Sequence, residues 1–339
     1  MVRVGMIAPI TYPYPPRGYG PWERVTHDLT ERLVSDGHEV TLFATAESRT
    51  SARLVVTADR PLSEVPGTRR RAEEDQHIER AIRTAAKGEF DVVHSHLHVH
   101  ALGHADRLSQ AMLTTLHGAA WDRAHHEQLR RHAHQPFVSL SDRERLFLPE
   151  LNYVATIPNG IRTHDFPAGA GGGGYLAFVG RLAPEKAPLL AIECARRSGR
   201  PLKIAGVIEE AHRDYAETVL ALCRDDIEYV GALERPALSR LMREAGGLLM
   251  PLTWDEPFGL VVVESLASGT PVIAWRRGAM PEIVEDGVTG FLVDDVDEAV
   301  VAVARLESIS RQTCATQAAT RFSDSVMAER YTRLYETIS

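Results

Sequence analysis

Short β-rich runs and helical stretches alternate along almost the whole 339-residue chain, and that alternation narrows the architecture more than any single motif. Successive strands that pair in parallel need a crossover between them, usually a helix, so repeated β-α units call for parallel sheets with helices on both faces. Val2 to Ala8 reads as the first strand, followed by a helix from Trp22 to Ser35 whose Val25, Leu29 and Leu33 share a face. "GHEVTLFAT", "DVVHSH", "MLTTLHG" and "YVATIPNG" continue the series to a first boundary near residue 160. The run "AGAGGGG", Ala168 to Gly174, reads as a flexible connection. After it the pattern restarts with "YLAFVG", a helix over Pro184 to Ser198, "PLKIAG" and onward to "GFLVDD". "SDSVMAERYTRLYETIS" reads as a closing amphipathic helix with Val326, Tyr331, Leu334 and Tyr335 on its apolar face. At roughly 100–200 residues per domain, the length agrees with two doubly wound α/β domains. Such sheets bind ligands at the carboxyl ends of their strands, so a cleft is expected there.

A net charge of -8 argues against nucleic acid as a partner, since that calls for a basic footprint. Cys194, Cys223 and Cys314 are widely spaced and read as reduced thiols of a cytosolic protein. The opening "MVRVGMIAPI" lacks the features of a signal peptide, and no apolar run reaches the roughly 20 residues of a membrane span. "TRRRAEEDQHIER" and "QLRRHAHQ" carry arginines but mix in acids, so a solvated face is expected there rather than a membrane-docking one.

Four stretches carry chemistry. In "DEPFGLVVVESLASGTPVIAW" a helix over Gly259 to Ser268 stops at Gly269, with Pro271 beyond. Glu264 then sits about one and a half turns inside, and Glu256 in the loop ahead of the helix N-terminus, whose free N–H groups attract anions. One carboxylate could grip hydroxyls while the helix end meets a phosphate or polarised sugar oxygen; on spacing alone, a plain N-terminal-turn acid with a surface glutamate fits equally well. In "GRLAPEK" Arg181 follows a strand and Lys186 lies early in a helix; Lys186 is one of only three lysines, with Lys87 and Lys203. Arg offers a planar fork and Lys a point charge to a diphosphate, although such a pair is usually plain surface charge. "PPRGYG", with Gly18 and Gly20, lets backbone approach a ligand ahead of the first helix. A dinucleotide fingerprint would need a glycine where Glu23 stands, so the nicotinamide reading is weak. His117 ends a strand before a glycine and can face the cleft, though a lone histidine is more often structural. "HSHLHVH" invites zinc, but no acidic or cysteine partner stands at a recognised spacing; no metal is expected, and Asp91 and His94 are expected to shape the cleft.

Taken in order, the glycine loop, "VSDGHEVTLFA", "DVVHSH", "IPNGI", "FVGRLAPEKAPLLAI" and the E-x7-E block with "GAMPEIVEDGVTGFLV" resemble the family 4 glycosyltransferases, retaining enzymes of GT-B fold. The resemblance implies two Rossmann-like domains facing a central cleft: an acceptor-side domain over 1–163, a nucleotide-sugar domain over 164–321, and a helix over 322–339 packing back on the first. It assigns Glu264 to the ribose and Glu256 to the donor sugar, with backbone N–H groups of Phe258, Gly259 and Leu260 on sugar hydroxyls. It puts Arg181 and Lys186 on the diphosphate, Gly18 and Gly20 beside diphosphate and acceptor, Gly231 near the base, and His117 by the sugar's outer hydroxyls. Relatives often have a further glycine where Pro21 stands, so the loop's shape here is its own. Glu256, His117, Arg181 and Lys186 are then the catalytic candidates. No cofactor is implied: a UDP- or GDP-linked sugar is co-substrate, and a hydroxyl acceptor is the partner. A nicotinamide-dependent oxidoreductase and a non-catalytic sugar-nucleotide binder are the competing readings. Neither the glutamate pair nor Arg181 with Lys186 has a use in the first of these.

Overall fold

The computed structural model describes residues 1–338. Ser339, which closes the expected C-terminal segment, lies outside the described residues. The chain divides into two compact units: Met1–Gly160 with the segment from Asp324, and Ile161–Ser323.

In the first unit β1 (Arg3–Ile7), β2 (Glu39–Thr45), β3 (Arg53–Ala58), β4 (Val92–Ser95), β5 (Met112–Thr115), β6 (Phe137–Ser139) and β7 (Tyr153–Thr156) form one sheet, ordered β3-β2-β1-β4-β5-β6-β7. Every pairing is parallel; Val4, for example, faces Val40 on one side and Val92 on the other. Helices cover both faces, so neighbouring residues such as Met6 and Ile7 are both fully buried. The strand order reverses between β1 and β4, and the loops leaving these two strands hold "PPRGYG" and the histidine run. That reversal is where a doubly wound sheet opens a crevice.

The helix Asp324–Ile338 belongs to this unit and packs against the helix Pro21–Ser35. Its buried face is Met327, Ala328, Tyr331 and Tyr335, rotated from the expected stripe so that Val326 and Leu334 are only half-buried. The rotation follows from the two tyrosines, whose hydroxyls need partners once buried. Tyr335 hydrogen-bonds His94 Nδ1 at 2.7 Å, His94 Nε2 lies 2.8 Å from the Thr115 hydroxyl, and that hydroxyl meets Tyr331 at 2.8 Å.

In the second unit β8 (Leu176–Val179), β9 (Leu202–Ala205), β10 (Ile227–Gly231), β11 (Gly247–Met250), β12 (Val272–Trp275) and β13 (Gly290–Val293) form a parallel sheet ordered β10-β9-β8-β11-β12-β13. Here the reversal lies between β8 and β11, whose following loops are "GRLAPEK" and "TWDEPFG". Two segments differ from the sequence reading. The glycine run is not a loose connection but part of this unit: Gly169 N–H donates to Ser268 O, Gly173 N–H to Glu244 O, and the Arg311 guanidinium reaches Gly169 O at 2.6 Å. Arg311 holds what composition alone suggests is free. The expected helix over Pro184 to Ser198 is split into a 3₁₀ turn, Pro184–Lys186, and a helix, Pro188–Ser198. Pro188 disfavours helical backbone at the residue before it, and Ala187 turns left-handed at φ 51°.

Candidate active site

The two loops at the second unit's reversal meet. Lys186 Nζ contacts Glu256 Oε2, and each side chain is only 15% exposed. Lys186 therefore sits in the 3₁₀ turn ahead of the helix rather than within it. The Trp254 indole N–H donates to the same Glu256 oxygen at 3.0 Å, and its ring centroid lies 4.9 Å from Lys186 Nζ. Thr253 ties the loops together: its N–H donates to Glu185 O at 3.1 Å and its hydroxyl to Pro184 O at 3.1 Å. Arg181, just past β8, donates to Glu185 at 2.6 Å and Glu209 at 2.7 Å. Both candidate cations are thus turned toward carboxylates 15% to 40% exposed, where an ion pair is worth more than on an open surface.

A third segment backs the glutamate loop. Ala279 N–H donates to Glu256 O at 2.9 Å and Gly278 N–H to Asp255 Oδ1 at 3.0 Å. A Cβ at Gly278 would overlap the Glu256 backbone, and φ is 58° there, so only glycine lets these chains approach. This explains why "GAMPEI" accompanies the glutamate block. The helix that follows, Leu260–Ala267, is capped by Gly259 at φ 102° and Ser268, one residue shorter at each end than expected. Phe258 is buried and meets Phe322 edge-on at 5.9 Å between centroids, so it anchors the loop by its ring while its backbone leads into the helix N-terminus. Glu264 shares a helix face with Leu260 and Val261; these three are half-buried, whereas Val262, Val263, Ser265 and Leu266 are buried. Gly231 ends β10 at φ 82°, its carbonyl accepting from Gly206 N–H at 3.0 Å.

In the first unit, Gly18 is exposed and Gly20 caps the helix that begins at Pro21. Proline suits that first helical position because its missing N–H has no intrahelical partner there. Glu23 is buried and accepts from Tyr12 N–H at 3.2 Å; burial raises its pKa above the ordinary glutamate value. His117, left-handed at φ 47°, is buried, and its Nε2 lies 2.8 Å from His96 Nδ1. Burial, then the neighbouring His96 and His98, push the His117 pKa well below its ordinary value, so this ring is neutral at pH 7. The half-exposed Trp22 packs edge-on to His98 at 4.3 Å between centroids.

Asp91 and His94 do not line the strand ends as expected. Asp91 lies before β4, at the amino side, paired with Arg3 at 2.7 Å, while His94 is buried under the C-terminal helix. Alternate side chains do share a strand face, but the sheet here is buried on both. The arginine runs pair with local acids: Arg69 with Glu73 at 2.8 Å, Arg71 with Asp75 at 3.0 Å, Arg130 with Glu150 at 2.7 Å and Arg131 with Glu127 at 2.8 Å. Among the described residues no helix is long and apolar enough to cross a membrane. The partners that sequence reasoning missed are Trp254, Glu185 and Glu209. Trp254 stands two residues from a candidate carboxylate, the one signal available.

Two parallel sheets with their loops placed this way define the GT-B fold. A glycosyltransferase involved in avilamycin A biosynthesis, AviGT4, superposes with a TM-score of 0.76 at 24% identity, over 99% of this chain and 97% of that one. Anabaena Alr3699/HepE, solved in complex with UDP and glucose, gives 0.76 at 17% identity over 99% and 100%. Residues 22–165 match the profile of Glycosyltransferase Family 4, and residues 162–321 that of Glycosyl transferases group 1. The chain belongs to this family of glycosyltransferases. A D-inositol 3-phosphate glycosyltransferase of Kribbella flavida is 38% identical over 151 residues, 38% of this chain. That match spans about a third of the relative's length, 35%.

Proposed function

We propose that this protein is a retaining glycosyltransferase that moves a hexose-like unit from a UDP- or GDP-linked sugar to a hydroxyl acceptor. The observation that carries the reading is the pairing of Lys186 with Glu256 across the β8/β11 reversal, with Arg181 on the same loop as Lys186 and the helix capped by Gly259 following Glu256. Family membership supplies the reaction type. Arg181 and Lys186 take the donor diphosphate, Glu264 the ribose, the segment near Gly231 the base, and the N–H groups of Phe258–Gly259–Leu260 the sugar hydroxyls. His117, neutral and buried, offers a hydrogen bond to the sugar's outer hydroxyls, and the Gly18–Gly20 loop borders diphosphate and acceptor. The second unit is accordingly the nucleotide-sugar domain and the first the acceptor side. The bond from the anomeric carbon to phosphate breaks as a bond to the acceptor oxygen forms on the same face. The acceptor's proton passes to the leaving phosphate. Catalysis is then positioning plus neutralisation of the departing charge. A setting in antibiotic or cell-envelope oligosaccharide assembly, in the cytoplasm, fits this reading.

The first test is donor hydrolysis with UDP-glucose and GDP-mannose, after a thermal-shift screen of the free nucleotide diphosphates. Slow release of nucleotide diphosphate supports a transferase; binding without release favours a non-catalytic binder. Because two cationic side chains carry the diphosphate charge, EDTA is expected to leave turnover nearly unchanged. Activity lost on chelation and restored by a divalent ion contradicts that assignment.

The two glutamates are expected to differ in kind. Glu264→Gln weakens free nucleotide diphosphate and sugar donor alike, by about 1–2 kcal/mol, as a neutral amide replaces a charge-assisted acceptor. Glu256→Gln lowers turnover but leaves the free diphosphate bound as tightly as in wild type or tighter, because it releases Lys186. Calorimetry beside turnover kinetics reads both. Equal nucleotide-binding losses would show that the glutamates share one role.

A further inference from the structure

We propose that Trp254 is a positioning residue of the donor site: its indole holds Glu256 in place while Lys186 turns from Glu256 to the incoming diphosphate. The inference rests on the donor-site reading above.

Lys186 and Glu256 are assigned to different parts of one donor, yet the structure pairs them with each other. A diphosphate arriving at Lys186 therefore competes with Glu256 for the ammonium. Released from Lys186, a carboxylate with no other partner would swing toward water and no longer face the sugar. Glu256 has another partner. The indole N–H of Trp254 donates to Oε2, the same oxygen that meets Lys186, at 3.0 Å. Indole nitrogen only donates, carries no charge, and sits on a side chain with two rotatable bonds, so the contact survives the exchange at little entropic cost.

The same ring serves the other partner. Lys186 Nζ lies 4.9 Å from the indole centroid, within range for a cation and a ring face to attract. That attraction steadies the ammonium without cancelling its charge, as a carboxylate would. The backbone on either side is fixed by Thr253 bonding to Pro184 and Glu185, and by Gly278 and Ala279 bonding to Asp255 and Glu256. Trp254 is half-buried and outside the hydrophobic core, so packing alone gives no account of its place.

The test uses the full chain and Trp254→Phe, which keeps an aromatic ring beside Lys186, though a smaller one, and removes the N–H donor. With UDP-glucose and GDP-mannose as probes, kcat of donor hydrolysis is expected to fall roughly tenfold or more, the worth of a hydrogen bond to a charged group. Affinity for free UDP or GDP is expected to stay near wild type. A merely structural role would move both together or neither. Wild-type kcat in Trp254→Phe overturns the proposal, as does an equal loss in kcat and nucleotide affinity. A second reading is independent of turnover. The chain has four tryptophans, so the indole ¹⁵N–¹H resonance of Trp254 is the one missing in Trp254→Phe. It is expected to shift in Glu256→Gln. An indole resonance indifferent to Glu256→Gln overturns the proposal whatever the hydrolysis shows. Wild-type protein that hydrolyses neither donor counts against the donor-site reading, while the resonance still decides the Trp254–Glu256 contact.

Discussion

Lys186→Ala is expected to lower donor turnover by about 10²–10³-fold, the scale on which a preorganised partner to developing charge contributes. Affinity for the free nucleotide diphosphate falls less, by roughly tenfold to 150-fold for one charge-assisted contact. On the proposed assignment the difference arises because charge on the leaving phosphate grows as the bond breaks, so the ammonium would do more in the transition state than in the bound complex. On the proposed donor assignment, deleting Lys186 also leaves the Glu256 carboxylate, still held by the Trp254 indole, with no cation between it and the diphosphate, a repulsion that adds to the loss. Arg181→Ala follows the same logic, since it uncovers Glu185 and Glu209. Calorimetry with UDP and GDP, run beside donor hydrolysis, separates the two components. Wild-type diphosphate affinity in both variants refutes the assignment.

The first unit is expected to lose stability as pH drops below about 6.5, the second much less. Burial holds six imidazoles of this unit below their ordinary pKa: His77 at about 4, His94 and His98 at about 3, His96 and His117 well below normal, and His132. Neighbouring rings add to the effect: His117 acts on His94, His94 and His98 on His96, and His100 and His125 on His98. Glu74 opposes it at His77 and His98, and the Ala8 backbone at His77. A folded-state pKa below the unfolded one means the unfolded chain takes up the proton first. Stability is therefore complete above pH 6.5 and declines from there toward pH 4 to 3. Each group contributes a slope of about 1.4 kcal/mol per pH unit in that window. Two or three acting together at pH 5.5 would remove about 3–4 kcal/mol, against an ordinary domain's roughly 5–15 kcal/mol. Urea titrations at pH 7.5, 6.5 and 5.5, followed by hydrogen exchange resolved along the chain, assign the loss to a unit. An unchanged midpoint for the first unit across that range contradicts the expectation.

Much of the site was legible in the sequence because its residues sit at strand ends, and strand ends show as breaks in an apolar pattern. Arg181 falls just past a strand and Glu256 in the loop ahead of a helix, where that reading puts them, while Gly259 is the cap of that helix rather than its first residue. The break in the helix after Lys186 is legible too, in Pro188, which disfavours helical backbone at the residue before it. The partnerships were not. Lys186 and Glu256 are 70 positions apart and meet because β8 and β11 are neighbours, an order of strands that sequence position does not encode. Arg181 reaches Glu209 because β8 and β9 pair. The glycine run shows the converse error. Its composition describes what the backbone is free to do, whereas Arg311, far along the chain, decides what it does.

The helix Asp324–Ile338 supplies the first unit with Tyr331 and Tyr335, yet it follows all of the second unit in the chain. The residues that bracket the second unit meet, Ile161 N–H bonding Phe322 O at 2.9 Å, so that unit is a closed insertion within the other. During synthesis the ribosome therefore delivers the second unit whole while the first still lacks its last helix. Until Tyr335 and Tyr331 emerge, His94 and Thr115 have each other but lack the two tyrosine hydroxyls. The part translated first is the part completed last, and a nascent chain stalled before Asp324 should carry a finished insertion inside an unfinished host.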